Sequence, residues 1–130
     1  MYTAVTDSIQ VTVMPEFMAE RSDPDEGQYF WAYTIEIVNR GSRLVQLIAR
    51  RWLITDDNGK LEEVQGLGVV GEQPVLQPGE SFRYTSGCPL TTPTGIMAGT
   101  YRMTDETGGS FEVEIPAFSL DLPEARRTLN

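Results

Sequence analysis

The sequence predicts an all-β fold, an antiparallel β-sandwich of about seven to eight short strands, and three observations predict it. Apolar residues recur with a period of two, most clearly where Tyr29, Trp31, Tyr33, Ile35 and Ile37 fall on one face. Turn-forming groups punctuate the chain at short intervals, among them Asp56-Asp57-Asn58-Gly59, Gln77-Pro78-Gly79-Glu80 and Asp105-Glu106-Thr107-Gly108-Gly109. No long segment keeps apolar residues at i, i+3, i+4 and i+7, and Gly and Pro recur too often for sustained helices.

Taken in chain order, Ile9, Val11 and Val13 alternate with polar neighbours and predict a first strand that ends before Met14-Pro15. The acidic loop 21–27 separates it from the aromatic strand, whose Trp31 face is expected in the core. A third strand runs over 44–55. Asn58-Gly59, which accepts the positive φ of tight turns, folds it back onto a fourth at 61–65. Beyond Pro78-Gly79, Phe82, Tyr84 and Ser86 alternate with Ser81, Arg83 and Thr85 as far as Gly87. A strand over 96–103 and a last one, with Phe111, Val113 and Ile115 on one face, complete the set. This spacing suits an immunoglobulin-like or fibronectin type III-like sandwich, with a half-open barrel as the alternative. The whole chain, 1–130, reads as one domain whose tail, 123–130, makes a single helical turn or frays.

A chain of 130 residues buries roughly 65 to 70% of its unfolded surface, enough for one core. The start carries Asp7 rather than a basic, apolar leader, and no apolar run approaches a membrane span. A single cysteine, Cys88, forms no internal disulfide, which points to a reducing cytoplasm. The net charge of −9 opposes association with a phosphate backbone, so no nucleic-acid partner is expected. Arg40, Arg43, Arg50 and Arg51 form either a local basic patch or a set of solvated strand residues paired with carboxylates.

Over nearly the whole length the sequence resembles the ApaG family. The resemblance is carried by Arg51-Trp52-Leu53-Ile54-Thr55-Asp56, then Gly66-Leu67-Gly68-Val69-Val70-Gly71-Glu72-Gln73-Pro74. Downstream, Pro78-Gly79-Glu80, Phe82, Tyr84, Ser86-Gly87, Thr92-Pro93, Gly99 and Tyr101-Arg102-Met103 continue it. The resemblance implies a fibronectin type III-like sandwich, found alone in bacteria and as a module in larger eukaryotic proteins. It also implies an association with cobalt and magnesium tolerance. Some family members carry a histidine where Thr100 stands between Gly99 and Tyr101 here, so an inherited ligand role at that place is weakened.

No residue set names a reaction. With no histidine, activation of a serine or thiol falls to lysine, carboxylate or metal assistance, and nitrogen or thiolate metal ligation is nearly excluded. Cys88 reads as a packed residue, and Ser86, Thr91 and Thr92 as strand-end and turn residues. The carboxylates of Asp23, Asp25 and Glu26, and those of Asp56 and Asp57 beside Asn58, suit ordinary turns or weak, water-rich magnesium contact. Gly66-Leu67-Gly68-Val69-Val70-Gly71 fits the Gly-x-Gly-x-x-Gly string, but Pro74 and Pro78-Gly79 prevent the following helix that pyrophosphate binding needs. Two readings stand: glycines serving chain geometry, or a loop of Gly66, Gly68, Val69, Val70, Gly71 and Glu72 that clasps a peptide or small anion. Arg50, Trp52 and Arg83 are interface candidates if they project from an exposed face, although Trp52 and Tyr84 read first as core aromatics. The expected protein is therefore a non-catalytic interaction module without cofactor or bound metal. It presents a sheet edge or loop end to a protein partner and is monomeric or homodimeric. Small-ligand or divalent-ion sensing is the alternative, and nucleotide or pyrophosphate binding at 66–71 the remaining one.

Overall fold

The computed structural model describes residues 1–123; the tail beyond Pro123 lies outside the described residues. Nine strands form two antiparallel sheets packed face to face. The first sheet has the order β1 (Tyr2–Thr6), β2 (Ile9–Phe17), β3 (Tyr29–Asn39) and β7 (Ser81–Leu90). The second runs β5 (Leu61–Leu67), β4 (Val45–Asp56), β8 (Gly95–Asp105) and β9 (Ser110–Leu120), with the two-residue β6 (Val75–Leu76) also on β4. Two 3-10 turns, Ala19–Arg21 and Pro24–Glu26, lie between β2 and β3.

The period-two pattern works as expected on β3, where Trp31, Ile35 and Ile37 are fully buried and Tyr33 nearly so. Across the interior, Tyr33, Trp52 and Phe118 meet with ring centroids 5.4 to 5.9 Å apart at tilted to edge-on angles, the arrangement the ring quadrupoles favour. Residue 99 must be glycine here: a Cβ would stand 2.3 Å from the Arg51 carbonyl oxygen and 3.1 Å from the Trp52 ring.

The structure extends the reading in two ways. Strand β1 gave no apolar alternation because its one aliphatic Val, Val5, faces solvent while Tyr2, Ala4 and Thr6 are half-buried. Prolines also lie inside strands. Pairing of β1 with β2 stops at Tyr2 opposite Val13, so Pro15 lies beyond the β1 ladder with β3 on one side alone. Pro89 sits on the edge strand β7, where a missing N–H costs no ladder bond.

The turns divide by backbone chemistry. Asp7 and Ser8, both at positive φ (49° and 67°), make the tight two-residue turn between β1 and β2. At Asp56-Asp57-Asn58-Gly59 only Gly59 is left-handed, and the Asp56 carboxylate accepts bonds from the Asn58 and Lys60 amides at 2.9 Å. Asp105 repeats the device, accepting from the Thr107 and Gly109 amides. The Thr107 hydroxyl and amide, with lesser help from the Gly109 amide and Arg43, hold its carboxyl below the usual carboxylate range.

One long side of the sandwich is tied shut. Strands β1 and β2 pack against β9, the Tyr2 hydroxyl and Ser119 Oγ lie 2.9 Å apart, and the Glu114 amide donates to Thr6 Oγ1. The opposite side is bounded by the edge strands β5 and β7.

Candidate functional site

The site begins with a register shift. Strand β4 bulges between Leu47 and Ala49 where it pairs with β8. Val45 and Leu47 face the core before the bulge, whereas Trp52, opposite Gly99, faces it afterwards. The extra residue changes the parity, and Arg50, opposite the fully buried Tyr101, is thereby turned to the interior side of its sheet. Its neighbour Arg51 points outward and pairs with Glu63 at 2.8 Å.

At the same place β5 ends and the chain leaves the β4 edge, rejoining it as β6. The intervening loop is pinned to the bulge: the Gly68 amide and the Gln73 side chain both donate to the Ile48 carbonyl. Val69 and Glu72 exchange two backbone bonds of 2.8 and 2.9 Å around Val70 (φ 44°) and Gly71 (φ 81°), a tight turn with two left-handed central residues. Val70 is a β-branched side chain in a region such residues rarely visit, so the turn stores backbone strain.

Arg50 holds this loop from below. Its Nη1 donates to the carbonyls of Leu67 (3.2 Å) and Gly68 (3.0 Å), and a Cβ on residue 66 would stand 2.7 Å from that nitrogen. Around the guanidinium lies a cavity of about 320 Å³ lined by Tyr33, Trp52, Leu67, Val69, Val70, Gly71, Tyr84 and Ser86. Tyr84 and Tyr101 hydroxyls are 2.5 Å apart, and Ser86 stands opposite Tyr33 across the β3–β7 ladder. Burial pushes all three phenols above the ordinary tyrosine value, against a smaller opposing effect of Arg50.

Further along the same side, a second cavity of about 530 Å³ is lined from β5 by Glu62 and from β7 by Pro89 and Leu90. Cys88 lies buried on β7; burial, with a smaller contribution from Glu62, pushes its thiol up to about 11. A neutral, enclosed thiol is a poor nucleophile.

Of the residues singled out from sequence, the structure brings Arg50 together with the 66–72 loop and leaves Arg83 apart, exposed and opposite Glu36 on the outer face of the other sheet. Trp52, at 3% exposure, is a core residue; a surface-anchor role for it is corrected by its ring lying against Tyr33 and Phe118. The four arginines do not merge into a patch. Arg40 bonds Gln10, Arg43 faces Asp105 at 3.4 Å, Arg51 pairs outward and Arg50 turns inward. The amides of Gly68, Val69 and Glu72 are committed to protein carbonyls, and the chain after Gly71 enters β6 rather than a helix. Among the described residues no group of three His, Cys, Asp or Glu is placed to hold a metal ion, and no helix is long and apolar enough to cross a membrane.

Sequence reasoning missed Tyr33, Tyr84, Tyr101 and Ser86 as neighbours of Arg50. The usable signal was the change of parity between Val45, Leu47 and Trp52, Ile54, which places a bulge before Arg50 and the arginine on the apolar face.

Comparison with known proteins agrees with this architecture. The family model described as the ApaG domain matches residues 19–105. Proteins named Protein ApaG from Methylocella silvestris and Beijerinckia indica are each 65% identical over all 130 residues, covering the whole of both chains. The crystal structure of a Bordetella pertussis protein given the name ApaA superposes with a TM-score of 0.87 at 53% identity, over 88% of this chain and 94% of that one. With the sandwich, the glycine-rich loop and these full-length matches in agreement, the chain belongs to the ApaG family.

Proposed function

We propose that the protein is a non-catalytic binding module that docks an extended segment of a partner protein along the open side of its sandwich, between β5 and β7. The observation that carries this reading is the asymmetry of the two long sides. One is bridged by hydrogen bonds between β1 and β9, with a cavity of about 430 Å³ beside Tyr2 and Ser119, while the other holds two cavities lined from both edge strands. Edge strands offer unpaired backbone groups, which is how strand addition gains affinity, and flanking pockets supply selectivity. The rim of this side also exposes Leu67 (72%), Leu61 (60%) and Val70 (55%) to solvent. Apolar groups of that size at an open edge suit burial against a partner. A neutral Cys88 and the lack of histidine support a role without covalent or acid–base chemistry.

The test is affinity capture from a cytosolic extract with wild type, Leu67→Glu and Val5→Glu. Val5 is 60% exposed on the closed side and serves as the control. A partner recovered by wild type and Val5→Glu and lost with Leu67→Glu is expected. Equal recovery by both variants, or no reproducible recovery by wild type, overturns the reading.

A further inference from the structure

We infer that the Arg50 cavity is a carboxylate-binding site, taking a singly charged carboxylate with an adjoining apolar group. This inference rests on the open side being the binding face and names the chemistry recognised there.

The chain carries 19 acidic side chains against 10 basic ones, yet Arg50 has no carboxylate within ion-pair distance among the described residues. Arg43 and Arg51, both on the outside, do have one. Arg50 is half-buried and lies on the inner side of its sheet, so its guanidinium gives up part of its hydration without an ion-pair partner in return. Only two hydrogen bonds, both from Nη1 to the Leu67 and Gly68 carbonyls, hold it among the described residues, although a guanidinium carries five N–H donors. The two carbonyls and the close fit under Gly66 fix the plane of the fork. A fork held in place, with donors to spare and no internal anion, is prepared for an external one.

The walls select the kind of anion. Tyr33, Tyr84 and Ser86 line the cavity, so a carboxylate seated there meets hydroxyl-bearing side chains beside the guanidinium. One positive charge balances one negative charge. Phosphate near pH 7 carries more, and the chain's net charge of −9 opposes that excess. Leu67, Val69, Val70 and Trp52 complete the lining and favour an apolar group beside the carboxylate. A volume of about 320 Å³ sits at the small end of ligand pockets, room for one residue or an organic acid of that size.

The test is a titration of the ¹⁵N-labelled full chain, followed by amide chemical shifts, with N-acetyl-leucine, N-acetyl-leucine amide, the α-amide of N-acetyl-glutamate and inorganic phosphate. The expected result is saturable shifts at Gly66, Val69, Val70 and Gly71 with N-acetyl-leucine, and binding at least about tenfold weaker for its amide, the size a charge-assisted hydrogen bond commands. The glutamate probe carries its charge on a side chain, so its rank against N-acetyl-leucine separates a side-chain carboxylate from a chain-end one. Arg50→Gln should abolish the shifts. Because that change also frees the loop, Val70→Asp and Val70→Asn provide the second comparison. Both residues tolerate the left-handed backbone at position 70 better than valine, and only Asp places a negative charge at the cavity mouth. Val70→Asn should bind and Val70→Asp should not.

Equal affinity for acid and amide would leave the open side as a binding face and refute the carboxylate site. So would equal or tighter binding of phosphate, unchanged binding by Val70→Asp, or no saturable shift at roughly 10 mM probe. Equal capture by Leu67→Glu and Val5→Glu, or no capture by wild type, in the preceding experiment would refute the docking reading without altering this titration.

Discussion

Gly68 and Gly71 lie in one loop, both at positive φ (64° and 81°), yet the structure predicts very different costs for replacing them with alanine. At Gly71 a Cβ meets nothing within 4 Å, so Gly71→Ala carries only the backbone cost of an L residue in the left-handed region, about 1–2 kcal/mol. Reduced freedom of the unfolded chain returns about 0.4–1 kcal/mol, leaving a net loss of about 1 kcal/mol. At Gly68 the same Cβ would stand 2.3 Å from the Glu72 carbonyl oxygen, a backbone atom that cannot swing aside. Relief requires Glu72 to withdraw from Val69, disturbing two hydrogen bonds worth about 1 kcal/mol each. Gly68→Ala should therefore destabilise by about 3 kcal/mol. Equilibrium urea unfolding followed by the emission of the buried Trp31 and Trp52 measures both, with unchanged m-values as the control for the two-state comparison. Equal losses would refute the claim that close backbone approach fixes Gly68, and a larger loss at Gly71 would overturn the account of the loop.

Three further outcomes follow from the same geometry. Tyr84→Phe removes one partner of the buried Tyr84–Tyr101 hydroxyl pair and should cost about 1–3 kcal/mol in urea unfolding; a neutral result would contradict the pairing. For Cys88 the folded value of about 11 lies above the ordinary 9.0, so its contribution is intact below about pH 9 and fades as pH rises to about 11. The stability of wild type minus that of Cys88→Ala should fall across that window by roughly 1–3 kcal/mol, and a flat difference would show the thiol is not enclosed. Trp52→Ala should lose about 3–5 kcal/mol, whereas Leu67→Glu should stay within about 0.5 kcal/mol of wild type, because one is core and the other is 72% exposed.

Strand positions were legible wherever burial alternates over several residues. Trp31 to Ile37 and Val113 with Ile115 are the clearest cases, since side chains of one parity meet the opposite sheet. Strand ends were less so. Pro15 and Pro89 look like terminators locally, and only the topology places their missing N–H on a side without a ladder. The candidate site was half legible. The glycine string marked the loop, but the partner of that loop is Arg50, and its direction depends on one inserted residue near Ile48. A period-two reading cannot carry a side chain through a bulge, so the arginine was associated with Arg83, which lies on a different face. The tyrosines around Arg50 come from β3, β7 and β8, far apart in sequence, and pairing register alone brings them together.

The central claim is that partners meet the side bounded by β5 and β7. Its most direct test places a photo-crosslinking amino acid at position 67 on that side and, in a separate protein, at position 5 on the closed side, both exposed in wild type. The account predicts a discrete adduct with a partner protein from position 67 and none from position 5. An adduct from position 5 alone, or the same adduct from both, would contradict it.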